Sequence, residues 1–159
     1  MASTFQFSES NTISETVSDG ITNLNFGSND SANLNTTTYP VSTPNASFEK
    51  YIRGKFSGTF TEISNIKFWK SVGTLVTGET IKAAANVVFA TPSTTPNADS
   101  DVPTDVGTAL AIQSADSGAV YTITDPGYTK YIRLQTHSTT STPGGAGNTK
   151  TFVMQYDEV

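Results

Sequence analysis

The sequence contains no cysteine, which excludes a disulfide framework, thiolate metal ligands and thiol nucleophiles alike. Stability must come from packing and hydrogen bonding. Histidine occurs once, at His137, so a multi-histidine metal site cannot form. A histidine triad finds no support either, because His137 falls on the solvent phase of its strand. Charge is scarce as well. Asp, Glu, Lys and Arg make up 14% of residues against a usual ~25%, and 9 Lys and Arg against 14 Asp and Glu leave a net charge of -5. A nucleic-acid interface needs a basic patch or stripe, so no nucleic-acid partner is expected.

Long hydrophobic runs are missing too. The longest mainly apolar stretch, Ala83 to Ala90, is interrupted by Asn86 and falls far short of the roughly 20 residues that span a bilayer as a helix. Residues Met1 to Phe7 carry neither a basic n-region nor an apolar h-region, so synthesis in a cytoplasm without export, and no membrane partner, are expected. The hydrophobic fraction of 35% is low, and Ser, Thr and Asn fill the difference. The sequons at Asn29, Asn35 and Asn45 occur at about the frequency that such a composition produces by chance, and carry no weight.

What the chain does have is period-2 alternation. From Phe48 to Phe60, the residues Phe48, Lys50, Ile52, Gly54, Phe56, Gly58 and Phe60 share one face, and Glu49, Tyr51, Arg53, Lys55, Ser57 and Thr59 share the other. That is a strand with one buried and one solvated side. The tetrapeptide Lys50-Tyr51-Ile52-Arg53 returns as Lys130-Tyr131-Ile132-Arg133, with Ile132 and Leu134 in the buried phase and Tyr131, Arg133, Gln135 and His137 in the exposed one. Two strands thus present the same Tyr/Arg exterior. Further strands are predicted at Thr4–Phe7, Ile13–Val17, Ile21–Phe26, Thr36–Pro40, Ile63–Ser71, Thr80–Ala90, Val106–Gln113, Ala119–Thr124 and Lys150–Tyr156, and no window reads as a helix. Asp19-Gly20 reads as a hairpin turn, Asp125-Pro126-Gly127 as a type II turn and Pro143–Asn148 as a flexible loop. Thr91–Asp105, with Pro92, Pro96 and Pro103, reads as a protruding surface loop.

At 159 residues the chain suits one domain. The expected fold is all-β, an antiparallel β-sandwich of jelly-roll or Ig-like connectivity. Residues 1–45 form an N-terminal arm or edge strands, and 46–159 form the sandwich core. The predicted buried set is Ile52, Phe56, Phe60, Ile66, Phe68, Ile132, Leu134, Phe152, Met154 and Tyr156.

No chemistry-bearing constellation emerges. Asp99, Asp101 and Asp105 match calcium-loop positions, but Thr104 stands where Gly is required and Leu110 where a bidentate Glu is required. A solvated acidic turn is the better reading. The glycines Gly144, Gly145 and Gly147 lack the Lys-Ser/Thr pair and the helix of a phosphate cradle. No catalytic residue, metal ligand or cofactor is expected. Phe68 and Trp69 must point to opposite faces, which places Trp69 with Lys67 and Ile63 away from Ile66 and Phe68. Trp69 suits a core or subunit contact, or a sugar-stacking platform. The interface candidates are Tyr51, Arg53, Trp69, Tyr131 and Arg133, with Phe5 and Phe7 from the N-terminal segment.

The runs Asn25-Phe26-Gly27-Ser28, Tyr39-Pro40, Phe48 to Phe60 and Ile63 to Ser71, closing on Tyr156-Asp157-Glu158-Val159, resemble small virion proteins of tailed bacteriophages. The resemblance implies a β-sandwich used in many copies as a capsid decoration or cement protein, located on the capsid surface and stabilising the head by protein–protein contacts. Its implied partners are the major capsid protein or other virion proteins, and copies of itself, as a homo-oligomer such as a trimer. It transfers no active-site residues, so no enzymatic activity is expected. A tail or fibre component, and a carbohydrate-binding or adhesin module, are the alternatives.

Overall fold

The computed structural model describes residues 2–115, 119–144 and 147–159. Among these the chain is all-β, without a helix. The strands are β1 (Ser3–Asn11), β2 (Thr16–Asp19), β3 (Lys50–Gly58), β4 (Ile63–Val72), β5 (Thr80–Val87), β6 (Ser100–Asp101), β7 (Leu110–Ala111), β8 (Gly127–Tyr128), β9 (Tyr131–His137) and β10 (Thr151–Glu158). They form a seven-stranded antiparallel sheet of order β2-β1-β3-β9-β5-β6, with β8 also on β3, and a three-stranded sheet β10-β4-β7. The sequence neighbours β3 and β4 lie in different sheets, and so do β9 and β10. Both links cross the sandwich.

The apolar phase read from the sequence faces the interior. Ile52, Phe56, Ile66, Phe68, Ile132, Leu134 and Met154 are buried, while Phe60, Phe152 and Tyr156 pack half-buried at the margin. The sheets meet through aromatic rings: Phe56 sets its edge on Tyr156 at 4.8 Å and Phe7 on Phe68 at 6.4 Å. They approach closely at Gly54, where an added Cβ would lie 2.7 Å from Met154 Sδ of the small sheet and 2.9 Å from the neighbouring Phe5 ring. The glycine is there to let the layers touch.

β1 lies inside the large sheet, between β2 and β3, in register from Ser3↔Gly58 to Ser10↔Tyr51. Phe5 and Phe7 pack against the core of their own domain. At the end of this face Glu9 and Lys50 form an ion pair of 2.7 Å with both side chains fully buried. Lys50 also donates to the Ser31 carbonyl, and Asn11 Nδ2 donates to Glu9 Oε1, each at 2.8 Å.

Several local expectations are corrected. The first hairpin turns at Thr12–Glu15, where Thr12 (φ 67°) and Glu15 (φ 53°) adopt left-handed backbone. Asp19-Gly20 instead ends β2, with Gly20 N–H donating to the Phe7 carbonyl. Ile63 does not share Trp69's side: it is fully buried. The register of β4 on β10 slips between Lys67↔Gln155 and Ser64↔Asp157, with Asn65 at φ 50°. One extra residue in one strand flips the phase, so Ile63, Ile66 and Phe68 all face inward. Ile21–Phe26, Thr36–Pro40 and Ala119–Thr124 form no strands. Ile21, Leu24 and Phe26 still pack on the core, but their backbone finds no ladder, and Asn35 caps a turn through the N–H groups of Thr37 and Thr38. Gly127 opens β8 rather than occupying a type II turn. In the Pro143–Asn148 loop, Gly145 and Ala146 lie outside the described residues.

Thr91–Asp105 does not protrude. The Ser93 carbonyl accepts from Glu49 N–H, Asn97 N–H donates to Gln135 Oε1, β6 adds to β5, and Val102 is buried. The loop folds back over the outer face of the large sheet.

Candidate functional site

The candidate residues converge where β3 meets β9. Tyr51 stands directly opposite Arg133, and Ile52 opposite Ile132, so the repeated tetrapeptides are cross-strand neighbours. Their Tyr/Arg side is not a solvated exterior, contrary to the alternation. Tyr51 is 1% exposed and Tyr131 7%. Arg53 and Arg133 are half-buried. The reason is coverage by the chain itself: Phe89, just past β5, lies on Tyr51 at 5.1 Å and on Tyr131 at 5.8 Å, and the 91–105 segment covers the neighbouring end.

Each charged group on this face has a distinct environment. Arg133 forms a fork on Asp99, Nε to Oδ2 at 2.9 Å and a terminal nitrogen to Oδ1 at 2.7 Å, with Glu49 3.6 Å away. The Asp99 contact raises the Arg133 pKa further and keeps it charged. The Tyr131 hydroxyl donates to Glu15 in the β1–β2 turn and exchanges a 2.9 Å hydrogen bond with Ser10 Oγ. Burial, with the Glu15 carboxylate accepting its proton, pushes the Tyr131 phenol up to about 12. Burial also raises Tyr51. Gln135 is fully buried rather than exposed. Its amide donates to the Ser47 and Thr95 carbonyls, and its oxygen contacts His137 Nε2 at 2.7 Å. His137 is half-buried, and burial, with Lys82 nearby, holds it below its ordinary 6.5.

Arg53 differs from Arg133. Its guanidinium lies 3.9 Å from the Tyr128 ring centroid and 4.5 Å from that of Tyr131. It forms no ion pair among the described residues, and its buried Nε has no hydrogen-bond acceptor. Beside it opens a cleft of about 270 Å³, lined by Val87, Val88 and Phe89 together with Glu15, Lys130 and Tyr131. Val88 is 85% exposed at the rim, and Ile13, in the same turn as Glu15, is 80% exposed. Phe89, Tyr128 and Glu15 were not singled out in the sequence. Tyr128 and Tyr131 are three apart, out of strand phase, and reach Arg53 together because the chain breaks at Thr129-Lys130 between β8 and β9. No period-2 count finds that.

No family model, curated protein or solved structure matches the chain.

The remaining candidates lie elsewhere. Trp69 is half-buried on the outer face of the small sheet, paired in register with Val153. Phe5 and Phe7 lie edge to face at 5.0 Å on the inner side of β1. The acidic trio is divided: Asp99 holds Arg133, Asp101 pairs with Lys82 at 2.8 Å, and Asp105 caps the N–H groups of Gly107 and Thr108. Among the described residues no group of three or more His, Asp or Glu side chains is arranged to hold a metal ion.

Proposed function

We propose that this chain is a structural subunit of a tailed-phage virion, most specifically a capsid decoration protein that cements the head through contacts with the major capsid protein and with copies of itself. The resemblance in the strand sequences brings the virion to this reading. The observation that carries a contact role rather than a catalytic one is where the ionisable groups are spent. Arg133 on Asp99, Lys50 on Glu9, Lys150 on Glu79 at 2.6 Å and Lys55 on Asp19 at 2.6 Å tie segments distant in sequence to one another. The shifts at Tyr51, Tyr131, Arg133, His137 and Asp19 all move a group further into its ordinary charge state at neutral pH. General acid–base chemistry needs the opposite, a group tuned toward the working pH. A sandwich with exposed apolar residues such as Ile13 and Val88 suits repeated protein contact.

Cryo-microscopy of purified particles carrying a labelled copy of the chain tests this. Density repeated over the head surface at the label is the expected result. Label at one end of the particle would replace the reading with a tail or fibre component. Absence from particles, together with saccharide-dependent quenching of Trp69, would replace it with a carbohydrate-binding module.

A further inference from the structure

We propose that the cleft beside Arg53 is a receptor for an acidic residue flanked by large apolar residues, presented by an extended segment of a partner polypeptide. The inference stands on the geometry of the cleft and needs no assumption about virions.

Arg53 is a permanent cation held between the Tyr128 and Tyr131 rings, with no carboxylate paired to it among the described residues and with its buried Nε lacking an acceptor. A guanidinium without an ion-pair partner is a charge that a carboxylate bound in the cleft would complement. The Tyr128 and Tyr131 rings, 3.9 Å and 4.5 Å from its carbon, restrict the guanidinium, and a carboxylate is the anion whose two oxygens match its fork. Among the described residues the lining holds Arg53 without a carboxylate partner, and its one carboxylate, Glu15, is engaged by the Tyr131 hydroxyl. Charge complementarity therefore favours an anion.

The walls specify the rest. Val87, Val88 and Phe89 give the cleft an apolar side, and Val88 and Ile13 stand almost fully exposed at the rim and in the adjoining turn. A small free acid seated in about 270 Å³ would leave those two residues in water. A polypeptide segment covers them with its own apolar neighbours while its acid reaches Arg53. That combination selects an acidic–apolar segment over a simple anion.

The test is a titration of the isolated, isotope-labelled protein with two capped pentapeptides, Gly-Leu-Glu-Leu-Gly and Gly-Leu-Gln-Leu-Gly, followed by amide chemical shifts. The glutamate peptide should move the amides of Arg53, Val88 and Tyr131 and bind at least about tenfold more tightly than the glutamine peptide, with affinity falling as salt rises. Arg53→Gln should abolish the preference for glutamate. Because that variant also removes the stacked cation and can loosen the fold, Val88→Glu serves beside it. Val88 is exposed, so the melting temperature should stay unchanged while the introduced carboxylate repels the peptide and binding is lost. Equal affinity for the two peptides, no shift with either at millimolar concentration, or undiminished binding by Val88→Glu overturns the proposal. Equally strong shifts from sodium hexanoate alone overturn the polypeptide assignment. None of these outcomes bears on whether the chain is found on particles.

Discussion

Replacing Lys50 with methionine should be among the most damaging conservative-volume changes in the molecule. Lys50 and Glu9 are both fully buried, and among the described residues their contact of 2.7 Å is supplemented by the Ser31 carbonyl on one side and Asn11 on the other. Glu9 Oε2 is already buried without a partner. Lys50→Met keeps the aliphatic bulk but strands the carboxylate, and removing one partner of a buried pair costs about 3–5 kcal/mol. Against a total of roughly 5–15 kcal/mol for a folded domain this is a large share. At about 2–4 °C per kcal/mol it lowers the melting temperature by about 6–20 °C. The paired change Lys50→Met with Glu9→Leu decides between two accounts. If the cost of desolvating both charges outweighs their mutual attraction, removing the pair should restore stability to about the wild-type level or above it, because apolar replacements of buried pairs are often neutral or stabilising by about 1–4 kcal/mol. Urea unfolding followed by the fluorescence of Trp69, the one tryptophan, reads all three proteins. A loss below about 1 kcal/mol for the single variant, or a double variant no more stable than the single, would refute the reasoning.

Asn65→Val should cost about 1–2 kcal/mol in the same assay, since a β-branched residue is forced to φ 50° and the 3.1 Å hydrogen bond to Asp157 is lost, whereas Asn65→Gly should cost less. Arg133→Ala should destabilise by about 1–3 kcal/mol, above the ~0.5 kcal/mol usual for surface truncation, because Asp99 and Glu49 lose their cation; an unchanged urea midpoint would contradict this. His137 has a folded pKa below its ordinary 6.5, so the unfolded chain binds the extra proton first. Its contribution is fully present above that value and is lost as pH falls through the folded pKa. His137→Gln should flatten that part of the melting-temperature profile between about pH 7 and pH 5. Calcium and chelators should leave the melting temperature unchanged, because Asp99, Asp101 and Asp105 serve Arg133, Lys82 and a local turn; a rise with calcium that Asp101→Asn abolishes would show a site there.

The alternation in Phe48–Phe60 and Lys130–His137 determined by itself that the chain is an antiparallel β protein, and which side of β3 and β9 is apolar, because strand geometry sends successive side chains to opposite faces whatever else the chain does. It carried the inner core from Ile52 and Phe56 to Ile132 and Leu134 for the same reason. What lies on the other side was beyond it. Period 2 distinguishes two faces and cannot say that both are covered, so Tyr51, Tyr131 and Gln135 read as exposed when they are buried. The segments that cover them, around Phe89 and from Ser93 to Asp99, have turn composition, and their docking depends on hydrogen bonds such as Gln135 to Thr95, 40 residues away in the chain. One-residue bulges at Asn65 and Asn86, both with positive φ, reset the phase without leaving a mark in the hydrophobic pattern. Only the tertiary structure could place Arg53, without an ion-pair partner among the described residues, beside two tyrosines from separate strands and apolar residues from a third. A cleft is a relation among segments, and local sequence constrains only the conformation of each segment.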